Sequence, residues 1–168
     1  RFGGVRALHE ADLVVEAGRI HAVLGESGAG KSTLIKIMAG VMAPDEGRLL
    51  LDGQPVAFTS PAAAAAAGIV CIFQELSLIP DLSVADNIPI SNPPKRFGLI
   101  DAREQRRIAE EALARAGASD IHPLARVKDL SLSRRQMVAV AKALSRRPRI
   151  LILDEATSAL AAADVSRI

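Results

Sequence analysis

Gly25-Glu26-Ser27-Gly28-Ala29-Gly30-Lys31-Ser32 fits the pattern G-x-x-x-x-G-K-[ST]. Its glycines permit the tight curvature that turns successive backbone N–H groups inward, toward phosphate oxygens. Lys31 brings a point charge suited to β- and γ-phosphates, and the Ser32 hydroxyl is a magnesium ligand by type. A glycine-rich turn ahead of any helix would share part of this pattern, so the flanks decide. Residues 20–24 form an apolar, strand-like run, and beyond Thr33 apolar residues recur at Leu34, Ile37, Met38 and Val41, the spacing of a helix. Strand, loop and helix in that order aim the positive end of the helix at an anion.

Outward from the loop, Leu13-Val14-Val15, a turn at 16–19 and the run 20–24 read as strand, turn, strand. Gly40 and Pro44 end the first helix. A turn at 45–47, a strand at 48–51, a second turn at Asp52-Gly53 and a short edge strand at 55–58 follow. Ser60-Pro61 is an N-cap followed by proline at the first helical position, and helix is expected through 62–67 up to Gly68. Residues 69–73 form a continuous apolar run with β-branched members, as in a strand buried on both faces.

The segment 80–98 is rich in loop formers, with a brief helix expected near 84–88. Residues 102–116 are amphipathic, with Ala109, Ala112, Leu113 and Ala116 on one face and Gly117 at the C′ position. Another helix is expected after Ser133, with the stripe Met137, Val140, Ala141 and Leu144. A buried strand at 150–153 runs into Asp154-Glu155. Strands alternating with helices predict an α/β fold with a mainly parallel sheet. The first half adds antiparallel hairpin signals, and 75–147 reads as a mostly helical insertion.

At 168 residues the chain has the length of one domain. Its start at Arg1 and its stop shortly after the strand-like run lead us to expect a piece of a longer protein. Hydrophobic residues make up 49% of the chain, but no apolar run approaches the roughly 20 residues of a membrane-spanning helix. Any membrane association is therefore expected through a partner. A net charge of +2 is too small to point to nucleic acid, and the pairs Arg106-Arg107, Arg134-Arg135 and Arg146-Arg147 read as solvated helix faces. The single Cys71 reads as a buried thiol in a reducing compartment, and His9, His21 and His122 lack zinc-ligand spacing.

The acidic pair has two readings. Asp154-Glu155 stands at the C-terminal end of a buried strand, where ligands of open α/β sheets bind. Alone it is equally an ordinary helix N-cap. Beside the glycine loop it becomes a Walker B element, with Asp154 holding magnesium and Glu155 orienting the attacking water. Together the two elements point to metal-assisted nucleotide hydrolysis.

Over essentially its whole length the sequence resembles the nucleotide-binding domain of ABC transporters. The resemblance implies a P-loop NTPase core with an antiparallel β subdomain, residues 1–74 and 148–168, and a helical subdomain at 75–147. It implies ATP and Mg2+, with nucleotide contacts from Phe2, Gly25, Glu26, Ser27, Gly28, Ala29, Gly30, Lys31, Ser32 and Thr33. Phe2 stands where the family places an aromatic against adenine. Gln74 matches the Q-loop glutamine, which reaches magnesium and the attacking water, so Glu155, Gln74 and Lys31 carry the catalytic roles and Ser32, Gln74 and Asp154 the metal. Leu130, Ser131, Leu132, Ser133 and Arg134 occupy the place of the LSGGQ-like signature, which contacts the γ-phosphate of ATP held by the opposite domain of a dimer.

The strings GESGAGKSTLIKIMAGV, IFQELSLIPDLSVADNI and RQMVAVAKALSRRP are similar to the amino-terminal ATPase domain of sugar importers of the ribose, xylose and galactose type. That likeness implies a second ABC ATPase domain, fused or separate, transmembrane permease subunits and, indirectly, a periplasmic or extracellular binding protein. It implies a peripheral place on the cytoplasmic face of the membrane and no nucleic acid. The chain departs from the family at Ser133 and Arg134, where glycine and glutamine are usual, at Ala156, where proline is common, and at Ala161, an aspartate position. The switch histidine would fall beyond Ile168. One hydrolytic site in the intact protein, with the substituted signature at the weaker one, and little activity from these 168 residues alone are the resulting expectations. The alternatives are a soluble ABC-type ATPase acting on nucleic acid or ribosomes, and an ATP-binding piece with little hydrolysis.

Overall fold

A computed structural model describes residues 8, 10–26 and 28–154. Phe2, His9, Ser27 and Glu155 lie outside the described residues, as do Ala156 and Ala161. The chain divides into two compact units, Arg1–Ala67 and Gly68–Ile168.

In the first unit, helix α1 (Lys31–Met38) begins two residues earlier than its apolar periodicity predicts. Its most buried positions are Ile35 and Ala39, at i and i+4, while Leu34, Ile37 and Met38 are half-buried. Val41 falls past the helix end and is exposed. The helix stops in a Schellman arrangement, with Gly40 N–H donating to Ile37 O (3.1 Å) and Val41 N–H to Lys36 O (2.8 Å). Gly40 is irreplaceable on two counts: its φ is 71°, and a Cβ there would stand 2.6 Å from Ser60 O.

Strands β1 (Leu49–Leu51) and β2 (Gln54–Val56) pair antiparallel, Leu51 opposite Gln54. The intervening Asp52 and Gly53 have φ of 51° and 75°, the two-residue hairpin turn whose twist matches its strands. That turn pulls β2 forward to 54–56, ahead of the 55–58 expected from sequence. Helix α2 (Pro61–Ala66) starts as predicted, Ser60 Oγ accepting from Ala63 N–H at 3.2 Å. The strands expected at 13–15 and 20–24 form no ladder among the described residues. Their turn does form, with Arg19 N–H on Glu16 O (3.3 Å), but Glu16 N–H goes to His21 Nε2 (3.1 Å), so a side chain takes a donor that strand pairing would use.

The second unit opens with β3 (Ile69–Ile72), parallel to β6 (Ile150–Leu153) in the register Ile69↔Ile150 to Ile72↔Leu153. Ile69, Val70 and Ile72 are buried and Cys71 is half-buried, not enclosed as the apolar run predicts. Helix α3 (Val84–Asn87) lies within the segment expected. The short hairpin β4 (Lys95–Arg96) and β5 (Leu99–Ile100) escapes sequence reading; it turns on Phe97 and Gly98, both with positive φ. Helix α4 (Ala102–Arg115) buries Ala109, Ala112, Leu113 and the following Ala116, the predicted face. Helix α5 (Leu132–Ser145) buries Met137, Val138, Val140 and Ala141, with Leu144 only half-buried. Arg115 closes the end of α5 by donating from Nη1 to Leu144 O at 2.8 Å. The architecture is α/β, with a parallel strand pair and antiparallel hairpins. No described helix is long and apolar enough to cross a membrane.

Candidate functional site

The glycine loop holds its lysine close. Lys31 Nζ donates to Gly25 O at 2.7 Å and to Glu26 O at 2.8 Å, and Ala29 N–H closes the loop on Glu26 O at 3.2 Å. Gly30 is the N-cap of α1 in the left-handed region, φ 87° and ψ 5°, with no side-chain cap. The first turn of α1 carries no acidic residue, and Lys36 stands in its last turn. Its positive end is therefore not neutralised by the helix itself. Ser32 is exposed and Thr33 half-buried. An ammonium has three donors; two are on loop carbonyls here. The carbonyls of Gly25 and Glu26 thus meet at the Lys31 amine, with Ala29 tied to Glu26 behind them.

In the second unit, the C-terminal ends of β3 and β6 place Gln74 and Asp154 on one sheet edge. Asp154 N–H extends the ladder by donating to Ile72 O at 2.9 Å. Gln74 follows in an exposed bend, and the Asp154 residue is half-buried. Burial, and then the Asp154 charge, push the Cys71 thiol up to about 12. No cluster of three or more His, Cys, Asp or Glu exists among the described residues.

The signature segment departs from its sequence reading by position. Helix α5 begins at Leu132, not after Ser133, because Ser131 is the N-cap, its Oγ accepting from Arg134 N–H at 3.4 Å. Leu132, Ser133 and Arg134 thus form the first turn. Arg134 is drawn aside: its Nη2 meets Asp120 Oδ2 at 2.7 Å.

Three groups organise this region without having been given that role from sequence, and Arg135 is half-buried, not part of the solvated face expected of the Arg134-Arg135 pair. Arg135 donates from Nε to Leu130 O (2.9 Å) and from Nη2 to Lys128 O (2.8 Å). Asn87, fully buried, accepts from Ile79 N–H (2.7 Å) and donates to the carbonyls of Ile79 and Ser83 (both 3.0 Å). Lys128 Nζ pairs with Asp81 at 2.8 Å; the bond lowers the Asp81 carboxyl pKa and raises that of the ammonium. Nearby, Ser83 caps α3, Asp86 N–H donating to Ser83 Oγ at 3.1 Å.

The ABC transporter family profile matches residues 8–158. The chain is 79% identical over all 168 residues to a ribose import ATP-binding protein, RbsA 1, of Mesorhizobium japonicum, covering 33% of that relative. It is 50% identical over 159 residues, 95% of the chain, to the arabinose import ATP-binding protein AraG 1 of Burkholderia lata, covering 31% of it. The chain therefore spans about a third of the length of these relatives. Among solved structures, an ATP-binding cassette described as a dimer in a post-hydrolysis state bound to ADP and Pi superposes with a TM-score of 0.78 at 28% identity, covering 96% of this chain and 71% of that one. With the glycine loop and the paired strand ends already in place, these matches establish that the chain belongs to the ABC transporter family.

Proposed function

We propose that this chain is the ATP-binding part of an ATP-hydrolysing subunit of an ABC importer for a sugar, in which nucleotide-driven closure of two ATPase domains moves membrane permease subunits. The observation that carries the reading is the Lys31 cradle, intact in a sequence 79% identical to a ribose import ATP-binding protein. In this reading residues 1–74 and 148–168 are the nucleotide core and 75–147 the helical subdomain. The subunit works on the cytoplasmic face of the membrane, beside a second ATPase domain and a sugar-binding protein outside.

Lys31 would exchange its loop carbonyls, which are uncharged acceptors, for β- and γ-phosphate oxygens, contacts in which donor and acceptor are both ionised. The backbone of residues 25–30 and the open N-terminus of α1 hold the remaining phosphate charge. Phe2 stacks on adenine. Ser32, Asp154 and Gln74 would hold Mg2+, which supplies charge neutralisation at the transferring phosphoryl group when bound. Glu155 orients the water. Ser131 and its helix serve the nucleotide of the partner domain, and there the substituted signature makes the weaker of two composite sites.

The test is ATP turnover by the full-length protein with its permease in vesicles, with sugar and binding protein supplied. Glu155→Gln is expected to lower turnover by about 10²–10³-fold while retaining ATP binding, and sugar uptake should fall with it. Turnover unaffected by Glu155→Gln, or copurification with ribosomes or DNA in place of a permease, would overturn the reading.

A further inference from the structure

We infer that Arg135 is the positioning residue for Ser131, setting the grip of this signature on a phosphate presented by the partner domain; the inference rests on the composite-site reading above. Ser131 is exposed, and its own capping bond is long, 3.4 Å from Arg134 N to Oγ. A bond of that length is too weak to fix a residue alone. The loop before it is held from two sides. Toward the segment after Gln74, Val127 N–H donates to Leu82 O (3.1 Å) and Lys128 N–H to Pro80 O (2.9 Å), and Lys128 Nζ pairs with Asp81. Those bonds end at Lys128. From there the chain reaches Ser131 through Asp129 and Leu130, and the Leu130 carbonyl is taken by Arg135 Nε while Nη2 holds Lys128 O.

The planar guanidinium makes this attachment specific. Its two donors point in fixed directions, so they set the carbonyls at 128 and 130 relative to each other and to the first turn of α5. The adjacent Arg134 does nothing comparable, since its guanidinium goes to Asp120 across an exposed pair. Two neighbouring arginines thus differ in task. Arg134 faces solvent and a carboxylate; Arg135 is half-buried and bonded to backbone. The same 79–82 segment is locked by the buried Asn87 through Ile79, so the fork joins Ser131 to a fixed support.

A double-mutant cycle in the full-length protein decides it, in a Glu155→Gln background so that ATP binding is read without turnover. Titration calorimetry with Mg-ATP resolves the two nucleotide equilibria. Ser131→Ala and Arg135→Ala are each expected to weaken one equilibrium about tenfold and to leave the other unchanged. The double variant should be no weaker than the stronger single effect, because both remove one contact. Arg135→Lys keeps the charge but not the fork and should fall between; it also stands in if Arg135→Ala melts below the assay temperature. Effects that multiply in the double variant, or a normal pair of equilibria in Arg135→Lys and Arg135→Ala where Ser131→Ala weakens one, would overturn the role of Arg135 alone. Two unchanged equilibria in Ser131→Ala would instead remove the composite-site reading and the inference with it.

Discussion

Two stretches of this chain meet opposite fates, and the more apolar one is the more exposed. Along residues 13–24, Val14 is 79% exposed, Leu24 89% and Ile20 fully so. Along α4 and α5, Leu113 is 1% exposed and Val138 and Val140 are 0% and 1%. Hydrophobicity per residue would predict the reverse; availability of a partner decides it. Each helix satisfies its own backbone, so α4 and α5 need only match apolar faces to be buried. A strand has no such independence, since its N–H and C=O groups wait for a neighbour, and in 13–24 a histidine side chain takes one of them. An apolar strand-like run thus reports burial only where it finds a partner, as 69–72 does in β6 and 13–24 does not among the described residues.

The sharpest way to break this comparison is to truncate one residue from each stretch. Leu113→Ala removes a fully enclosed side chain between packed helices and is expected to cost about 4 kcal/mol, near the upper part of the usual range. Ile20→Ala is expected to change stability by less than about 0.5 kcal/mol. Urea unfolding of the same polypeptide measures both. Equal losses would show that residues 13–24 are covered as thoroughly as the α4 face, and the contrast would fall.

Cys71, between these extremes, gives a chemical reading of half-burial. Its pKa is raised from 9.0 to about 12, first by burial and then by the Asp154 charge. At pH 10 an ordinary thiol is mostly ionised, whereas about one in a hundred of these is. Alkylation of metal-free protein by iodoacetamide at pH 10 should therefore run roughly a hundredfold slower than for a model thiol, and its rate should keep climbing up to pH 12. The folded state holds this proton more tightly than the unfolded chain. Its stabilising contribution is complete below pH 9 and is lost as pH rises from about 9 toward 12. A rate that levels off near pH 9 would place Cys71 in solvent.

Much of the site was legible because its determinants are local. The glycine loop, the Ser60-Pro61 cap and the α4 stripe each depend on residues within a turn or two of one another. Even the first turn of α5 was nearly so; a serine one position before Leu132 outcompetes the later Ser133 as cap, shifting the start. What escaped needed information from elsewhere. Asn87 bonds to Ile79 eight residues back, Lys128 to Asp81 forty-seven away, and Arg135 in the sequence was only half of a basic pair. The β4–β5 turn at Phe97-Gly98 was hidden among loop formers, since its apolar residues face solvent and give no burial pattern.

The smallest effect sharpens the comparison within a single helical turn. Arg134→Ala breaks a pair whose side chains are 48% and 62% exposed, and such pairs contribute about 0.2–1 kcal/mol before salt screens them further. Arg135→Ala removes two bonds to backbone carbonyls from a half-buried side chain, and charged hydrogen bonds of that kind contribute about 1.5–3 kcal/mol. Unfolding measured at low and high salt should show Arg134→Ala approaching the parent at high salt while Arg135→Ala keeps its deficit. Two neighbours of one residue type would then differ for the same reason as Ile20 and Leu113: the structure around the side chain, and not its chemistry, sets its effect. A salt-insensitive loss at Arg134 would mean that its guanidinium, too, is held by the fold.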